Sequence, residues 1–472
     1  MIYFLFLILF STLSAQDQLL IQNITVINLG NGTNYIADIL IENGRFSQIS
    51  QTNPIELPAK VMIIDGRGKY ILPGLWDMHT HLDDPEMWPL NLKQNEKEDL
   101  MKLLIINGVT NVRDMGGNTE QLAEWRRNIQ SKRIIGPRIF FSGSILDGNP
   151  PSWPGSLVIE SKDDAIEAIS NLKRNGADLI KIYSSLSEAN FKYVMDYAKE
   201  RNMIVSGHLP MAVRIEDASN AGLKSIEHMT GLLYSSSTKR EQFFQHIKEA
   251  VNGPAKDWAS YMGTNPEVVS SFDEKACIEI LKLFVKNKTW QVPTLRTLWG
   301  LAHANEANLA TDERIRLHSK VYQRYWNQAH QRLANNPATV DAYRAQLKLM
   351  MHVVKLMSDY GVPILAGTDI SALPYAFAGY TLHDELALLV ESGLSPLQAL
   401  RTATVNPASY FEKEDELGRI KEDYIADFIL LNANPLDNIR HTEQIYGVYS
   451  NKRFYSRSDL DALLNQIKIK YK

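Results

Sequence analysis

Gly74-Leu75-Trp76-Asp77-Met78-His79-Thr80-His81 is a short apolar run that turns polar at its C-terminal end, with two histidines two positions apart. Alternate residues of a strand point to the same side, so both imidazoles face one way. The run extends from Leu75 to Leu82, and seven more of its kind follow: Val109 to Met115, Arg138 to Ile145, Leu179 to Ser184, Met203 to His208, Lys224 to His228, Trp290 to Leu295 and Val362 to Asp369. Most are separated by helical patterns such as Lys162 to Asn175 and Glu188 to Arg201. Eight strands alternating with helices predict an α/β fold, a parallel (β/α)8 TIM-type barrel. The gaps between the sixth and seventh runs, and between the seventh and eighth, are about twice the earlier ones, longer than a βαβ unit needs. Extra helices there would form a lid or an oligomer surface.

The barrel is flanked by strand-rich ends. Ile39-Leu40-Ile41 and Arg45 to Ile49 flank Glu42-Asn43-Gly44, a hairpin signal. Ala426 to Leu431 and Ile445 to Tyr449 supply short strands at the other end, broken by turn residues such as Asn432 to Pro435. Neither end is large enough to close on itself, so a small β-sandwich built from both is expected. The resulting organisation is a β-sandwich half over 16–72, the barrel over 73–411, the second half over 412–456 and a C-terminal helix over 457–472.

The unbroken apolar run Ile2 to Phe10, followed by Ser11, Thr12, Ser14 and Ala15, reads as a secretory signal over 1–15, without the usual positive n-region. It is too short to span a bilayer, and no other stretch suffices, so no stable membrane anchor is expected and the mature protein is exported, periplasmic or secreted. The formal net charge of -4 gives no basic excess for nucleic acid. Cys277 is the only cysteine, which excludes an internal disulfide and a zinc site of several thiolates.

Any metal must therefore be held by imidazole and carboxylate. His79 and His81 end the first predicted strand, His208 the fifth, His228 the sixth and Asp369 the eighth, while Lys181 sits inside the fourth. Barrel active sites lie at the C-terminal ends of strands. Singly, such residues are ordinarily a hydrogen-bonded histidine, a helix cap or a salt-bridged lysine. Six at matching ends of one barrel point instead to a site for zinc, manganese or iron.

The motif around His79 and His81 resembles the first-strand signature of the amidohydrolase superfamily. Ala366-Gly367-Thr368-Asp369, Leu382 to Leu386 and Gly393-Leu394-Ser395-Pro396 resemble its eighth unit. Asn406-Pro407-Ala408, Gly418-Arg419-Ile420 and Ala426-Asp427 resemble its closing segments. Within it, the chain looks most like the imidazolonepropionase-related, prolidase-like branch. That resemblance implies two divalent metals, zinc by default. His79, His81 and Asp369 would hold the more buried one, and His208 and His228 the more exposed one. Lys181 would be carboxylated, its carbamate bridging both. A cationic lysine beside two dications would be prohibitive, whereas a carbamate is an anion. A metal-bridging hydroxide would attack a scissile carbonyl, with Asp369 as the catalytic proton carrier.

Expected substrates are small amides, dipeptides or N-acyl amino acids, with Tyr183, Tyr234 and Arg296 as candidate binding residues. His383 starts a helix and reads as structural, and Arg113-Asp114 as an internal ion pair. A lactonase, cyclic amidase or phosphotriesterase would use the same site, and a non-catalytic barrel scaffold is the reading of another class. Homo-oligomerisation is left open.

Overall fold

The computed structural model describes residues 18–56, 61–83, 93–153, 155–251, 258–306, 309, 311–370 and 374–472. The expected signal segment lies outside them.

Both chain ends meet in one continuous sheet. The N-terminal end supplies β1 (Gln18–Ile27), β2 (Asn34–Glu42), β3 (Arg45–Ser50), β4 (Met62–Asp65) and β5 (Tyr70–Pro73). The C-terminal end adds the strands Phe428–Leu431, Ile445–Ser450 and Arg453–Ser456. Phe428–Leu431 pairs antiparallel with β5 and so joins the two ends. The expected sandwich is thus a single sheet that curls over itself. Phe46 at one edge lies 5.9 Å from Phe428 on a strand several places away. Between them, Ile21, Ile39, Ile71, Leu430 and Tyr449 form a separate apolar core. A helix over Arg457–Lys470 closes the chain.

Next come β6 (Leu75–Thr80), β7 (Val109–Asp114), β8 (Arg138–Phe141), β9 (Leu146–Asp147), β10 (Leu157–Val158), β11 (Leu179–Ile182), β12 (Ile204–Gly207), β13 (Ser225–Glu227) and β14 (Trp290–Val292). All inter-strand pairs among them are parallel. β6 and β7 are buried at every position, as strands covered on both faces must be. Of the third predicted run only Arg138–Phe141 forms a strand, and β9 follows just past its end, after Gly143, whose φ is 72°. The eighth run forms only isolated bridges, Gln291 with Ile364 and Thr80 with Ile370. Pro363 has no N–H to donate, and the backbone turns left-handed at Asp369 (φ 56°). Even so, Ala366 O accepts from Met78 N at 2.9 Å and Gln291 O from Leu365 N at 2.9 Å, so the ring is closed.

The barrel interior is layered. Trp76, Phe140, Ile204 and Trp290, from the first, third, fifth and seventh strands, pack as an apolar plug. Toward the C-terminal ends, the second, fourth and sixth strands contribute Arg113, Lys181 and Glu227, all buried.

Candidate metal centre

At the C-terminal mouth, Nε2 of His79 lies 3.4 Å and Nε2 of His81 3.3 Å from Asp369 Oδ1. One ligand atom from each of the three residues falls within 4.8 Å of the others. The remaining imidazoles continue the cluster. Ring centroids are 4.5 Å apart for His79 and His228, and 5.0 Å for His208 and His228. Lys181 lines the same cavity at 1% exposure. The structure therefore brings together all six residues read as ligands, drawn from five strand segments.

Each histidine is fixed through its other nitrogen. Nδ1 of His79 meets Glu227 Oε2 at 2.7 Å, that of His81 the Gly116 carbonyl at 3.0 Å, that of His208 Ser184 Oγ at 3.2 Å, and that of His228 Thr294 Oγ1 at 2.8 Å. This leaves Nε2 as the candidate ligating nitrogen of His79, His208 and His228. Burial, reinforced by the charge of Lys181, lowers the pKa of His79 and His208, and burial also lowers that of His228. These rings are neutral at pH 7, the form that binds a metal.

The donor set fits divalent metal. His79 Nε2 and Lys181 Nζ are buried and have no hydrogen-bond partner among the described residues. An unsatisfied imidazole nitrogen costs about 1–3 kcal/mol in isolation, and an uncompensated ammonium more. Burial pushes the Lys181 ammonium down to about 8, against the opposing pull of Glu227 and Asp369.

The backbone bends to make this mouth. His228, Thr294 and Asp369 all adopt left-handed conformations, with φ of 57°, 48° and 56°, at roughly 1–2 kcal/mol each for a non-glycine residue. Tight hydrogen bonds hold two of them, His228 N to Val292 O at 2.8 Å and Asp369 N to His79 O at 2.7 Å. Gly367 is required here, because a Cβ would sit 2.8 Å from His79 Cβ and 2.7 Å from Val292 Cγ1.

Residues 70–453 match the amidohydrolase family model. The chain belongs to the amidohydrolase family. This amidohydrolase is therefore a metal-dependent hydrolase of carbon–nitrogen bonds acting on small substrates, and the scaffold reading falls away. It is 24% identical over 422 residues to ochratoxinase of Aspergillus niger, covering 78% of this chain and 72% of that one. A solved Xaa-Pro dipeptidase with bound methionine superposes with a TM-score of 0.67 at 20% identity, over 93% of this chain and 100% of its own. Bottromycin amidohydrolase gives a TM-score of 0.74 at 19% identity, over 97% and 93%. Both structures share the fold, and a prolidase is among the others that do.

Of the other residues that the amidohydrolase sequence singled out, Tyr183 and His383 stand where it suggested and the rest do not. Tyr183 lines the cavity and stacks on His208 at 4.0 Å. Tyr234 and Arg296 do not line it. Tyr234 is buried in the short helix Leu232–Ser235. Arg296 is on the helix Leu295–Ala302, whose Thr297, Leu298 and Leu301 face the cavity. Its own side chain turns away to Asp384, 3.3 Å from Nε, and stacks on Trp299. Arg113 pairs not with Asp114 but with Glu227, through two hydrogen bonds of 2.8 and 2.9 Å. Asp114 instead accepts Leu82 N and Gly116 N, and burial raises it to about 7. His383 bonds Thr442 and the Asn107 carbonyl, a structural role.

Glu227 is the residue the sequence reading missed. It takes bonds from Arg113 and Ser225 on one side and holds His79 on the other, at no solvent exposure. A carboxylate inside the buried run Ser225-Ile226-Glu227-His228 was the available signal.

Proposed function

We propose that this amidohydrolase holds two divalent metals and hydrolyses small amide substrates, dipeptides or N-acyl amino acids. The observation that carries the reading is Lys181. Its Nζ is buried, with no hydrogen-bond partner among the described residues, in the cavity that the four histidines also line, an environment that disfavours a cation. Attack of the neutral amine on carbon dioxide forms an N–C bond, releases the amine proton and leaves a carbamate anion. His79, His81 and Asp369 would hold one metal and His208 and His228 the other, with carboxylated Lys181 between them. Zinc suits this imidazole and carboxylate set. The two metals would supply an acidified water and polarise the scissile carbonyl.

The chain's own groups do the remaining work. Asp369, fixed by the His79 carbonyl, takes the proton of the attacking water on a carboxylate oxygen. It passes that proton to the leaving nitrogen as the water oxygen bonds to carbon and the C–N bond breaks. Glu227 keeps His79 in the tautomer whose Nε2 carries the lone pair, the form that would bind a metal. Tyr183, beside His208, is placed to orient the substrate. Residues 1–15 would direct export before the mature chain acts.

Asp369→Asn tests this directly. With metal retained, amide cleavage is expected to fall by roughly 10²–10⁴-fold. Full activity of the metal-loaded variant would contradict the assignment.

A further inference from the structure

We propose that the cavity above the metal centre selects a bulky, uncharged apolar acyl or aryl group, seated between the two long insertions. This deepens the amide-hydrolase reading and rests on it. The cavity measures about 490 Å³, within the span of drug-sized ligand sites.

Its floor is the imidazole, carboxylate and lysine set. Its walls are largely apolar, although Thr264, Thr297 and Gln346 also line them. The insertion after the sixth strand contributes Trp258 and Met262, and the insertion after the seventh contributes Leu298, Leu301, Tyr343 and Met350. Tyr343 and Met350 lie seven positions apart on the helix Pro337–Tyr360, hence on one face, which is turned to the cavity. The extra helices that the sequence left as lid or oligomer surface are thus cavity walls. Trp258 lines the cavity and is still 37% exposed, an aromatic surface that a ligand would cover.

Charge points the same way. Among the described lining residues other than histidine, Lys181 and Asp369 alone carry formal charge, and both belong to the floor. An ionised group at the far end would lose water without gaining a counter-charge. An alkyl or aryl group there exchanges water for apolar contact. The favoured substrate therefore places its carbonyl on the floor and its hydrocarbon among the insertion residues. Water oxygen bonds to that carbonyl carbon, the C–N bond breaks, and the amine leaves with the proton.

Two readouts test the proposal on the metal-loaded full chain. The first is kcat/KM for acetyl, hexanoyl, benzoyl and 2-naphthoyl amides of one uncharged amine, set against a small zwitterionic dipeptide. A rise of at least about tenfold from acetyl to naphthoyl is expected, since a single methylene in an apolar pocket is worth roughly that. A preference for acetyl or for the dipeptide would overturn it. The second readout, calorimetric binding of 2-naphthoate against acetate, needs no turnover. Naphthoate is expected to bind at least about tenfold more tightly, with the difference erased in Met350→Trp and in Leu301→Trp. Equal binding of the two acids to the unaltered protein would overturn the pocket even if amides are hydrolysed. Tight naphthoate binding without cleavage of any amide would overturn the hydrolase reading and leave the pocket standing.

Discussion

The floor and the walls of one cavity are built by opposite rules. On the floor, every imidazole is pinned through a second hydrogen bond, and three backbone positions are held left-handed to aim side chains at one point. On the walls, mostly apolar side chains of the insertions line the space, with Thr264, Thr297 and Gln346 the polar ones among them. The floor sits on strand ends, where alternation and pairing fix direction. The walls sit on insertions whose packing against the barrel sets which face looks inward. Chemistry is thereby separated from selection: what happens to a carbonyl is decided by strands, and which carbonyl arrives is decided by insertions.

That contrast breaks most readily at Glu227. Glu227→Gln removes the charge that fixes the His79 tautomer and leaves the Arg113 guanidinium buried without its partner. Metal affinity is expected to fall about 10–100-fold, and folding stability by roughly 3–5 kcal/mol. Calorimetric metal titration and thermal unfolding would measure both. Unchanged metal binding would mean that the floor does not depend on the layer beneath it.

Behind the wall, Asp384 sharpens the comparison. Arg296, Arg314 and Arg440 all bond its carboxylate, at 3.3, 2.9 and 2.7 Å. Despite burial, which raises it, these arginines hold the pKa at about 2, below the ordinary 3.8. A lowered carboxylate stabilises the fold above its unfolded pKa and loses that contribution as pH falls through the folded value. Asp384→Asn is therefore expected to cost roughly 2 kcal/mol at neutral pH and to flatten the acid limb of stability between about pH 4 and 2. Metal content should not move. A metal loss equal to that of Glu227→Gln would erase the distinction between floor and wall support.

The smallest effect is expected at Thr294, whose hydroxyl meets His228 Nδ1 at 2.8 Å. Thr294→Val should weaken the binding of one metal by several-fold, about 1 kcal/mol for one neutral hydrogen bond. No change in either metal's affinity would show that backbone strain alone aims His228.

How much of this was legible depends on where each residue sits. His79 and His81 announced a shared direction through strand alternation, and Lys181 was conspicuous as a cation between Ile180 and Ile182. The Arg113–Glu227 pair was not legible, because it joins residues 114 positions apart across the barrel. Arg296 misled because its short helix turns about 100° per residue, so that Thr297 and Leu298 face the cavity and Arg296 does not. The eighth strand was correctly placed but over-regularised, since Pro363 and Asp369 interrupt its ladder. The walls were illegible for a related reason: the face a helix presents inward depends on what it packs against.

The central claim is a two-metal floor that requires Lys181. Metal content per chain, measured on the purified full protein and on Lys181→Ala, tests it most directly. Two metals per chain are expected, falling in Lys181→Ala together with loss of amide cleavage. One metal per chain, unaffected by the substitution, would contradict it.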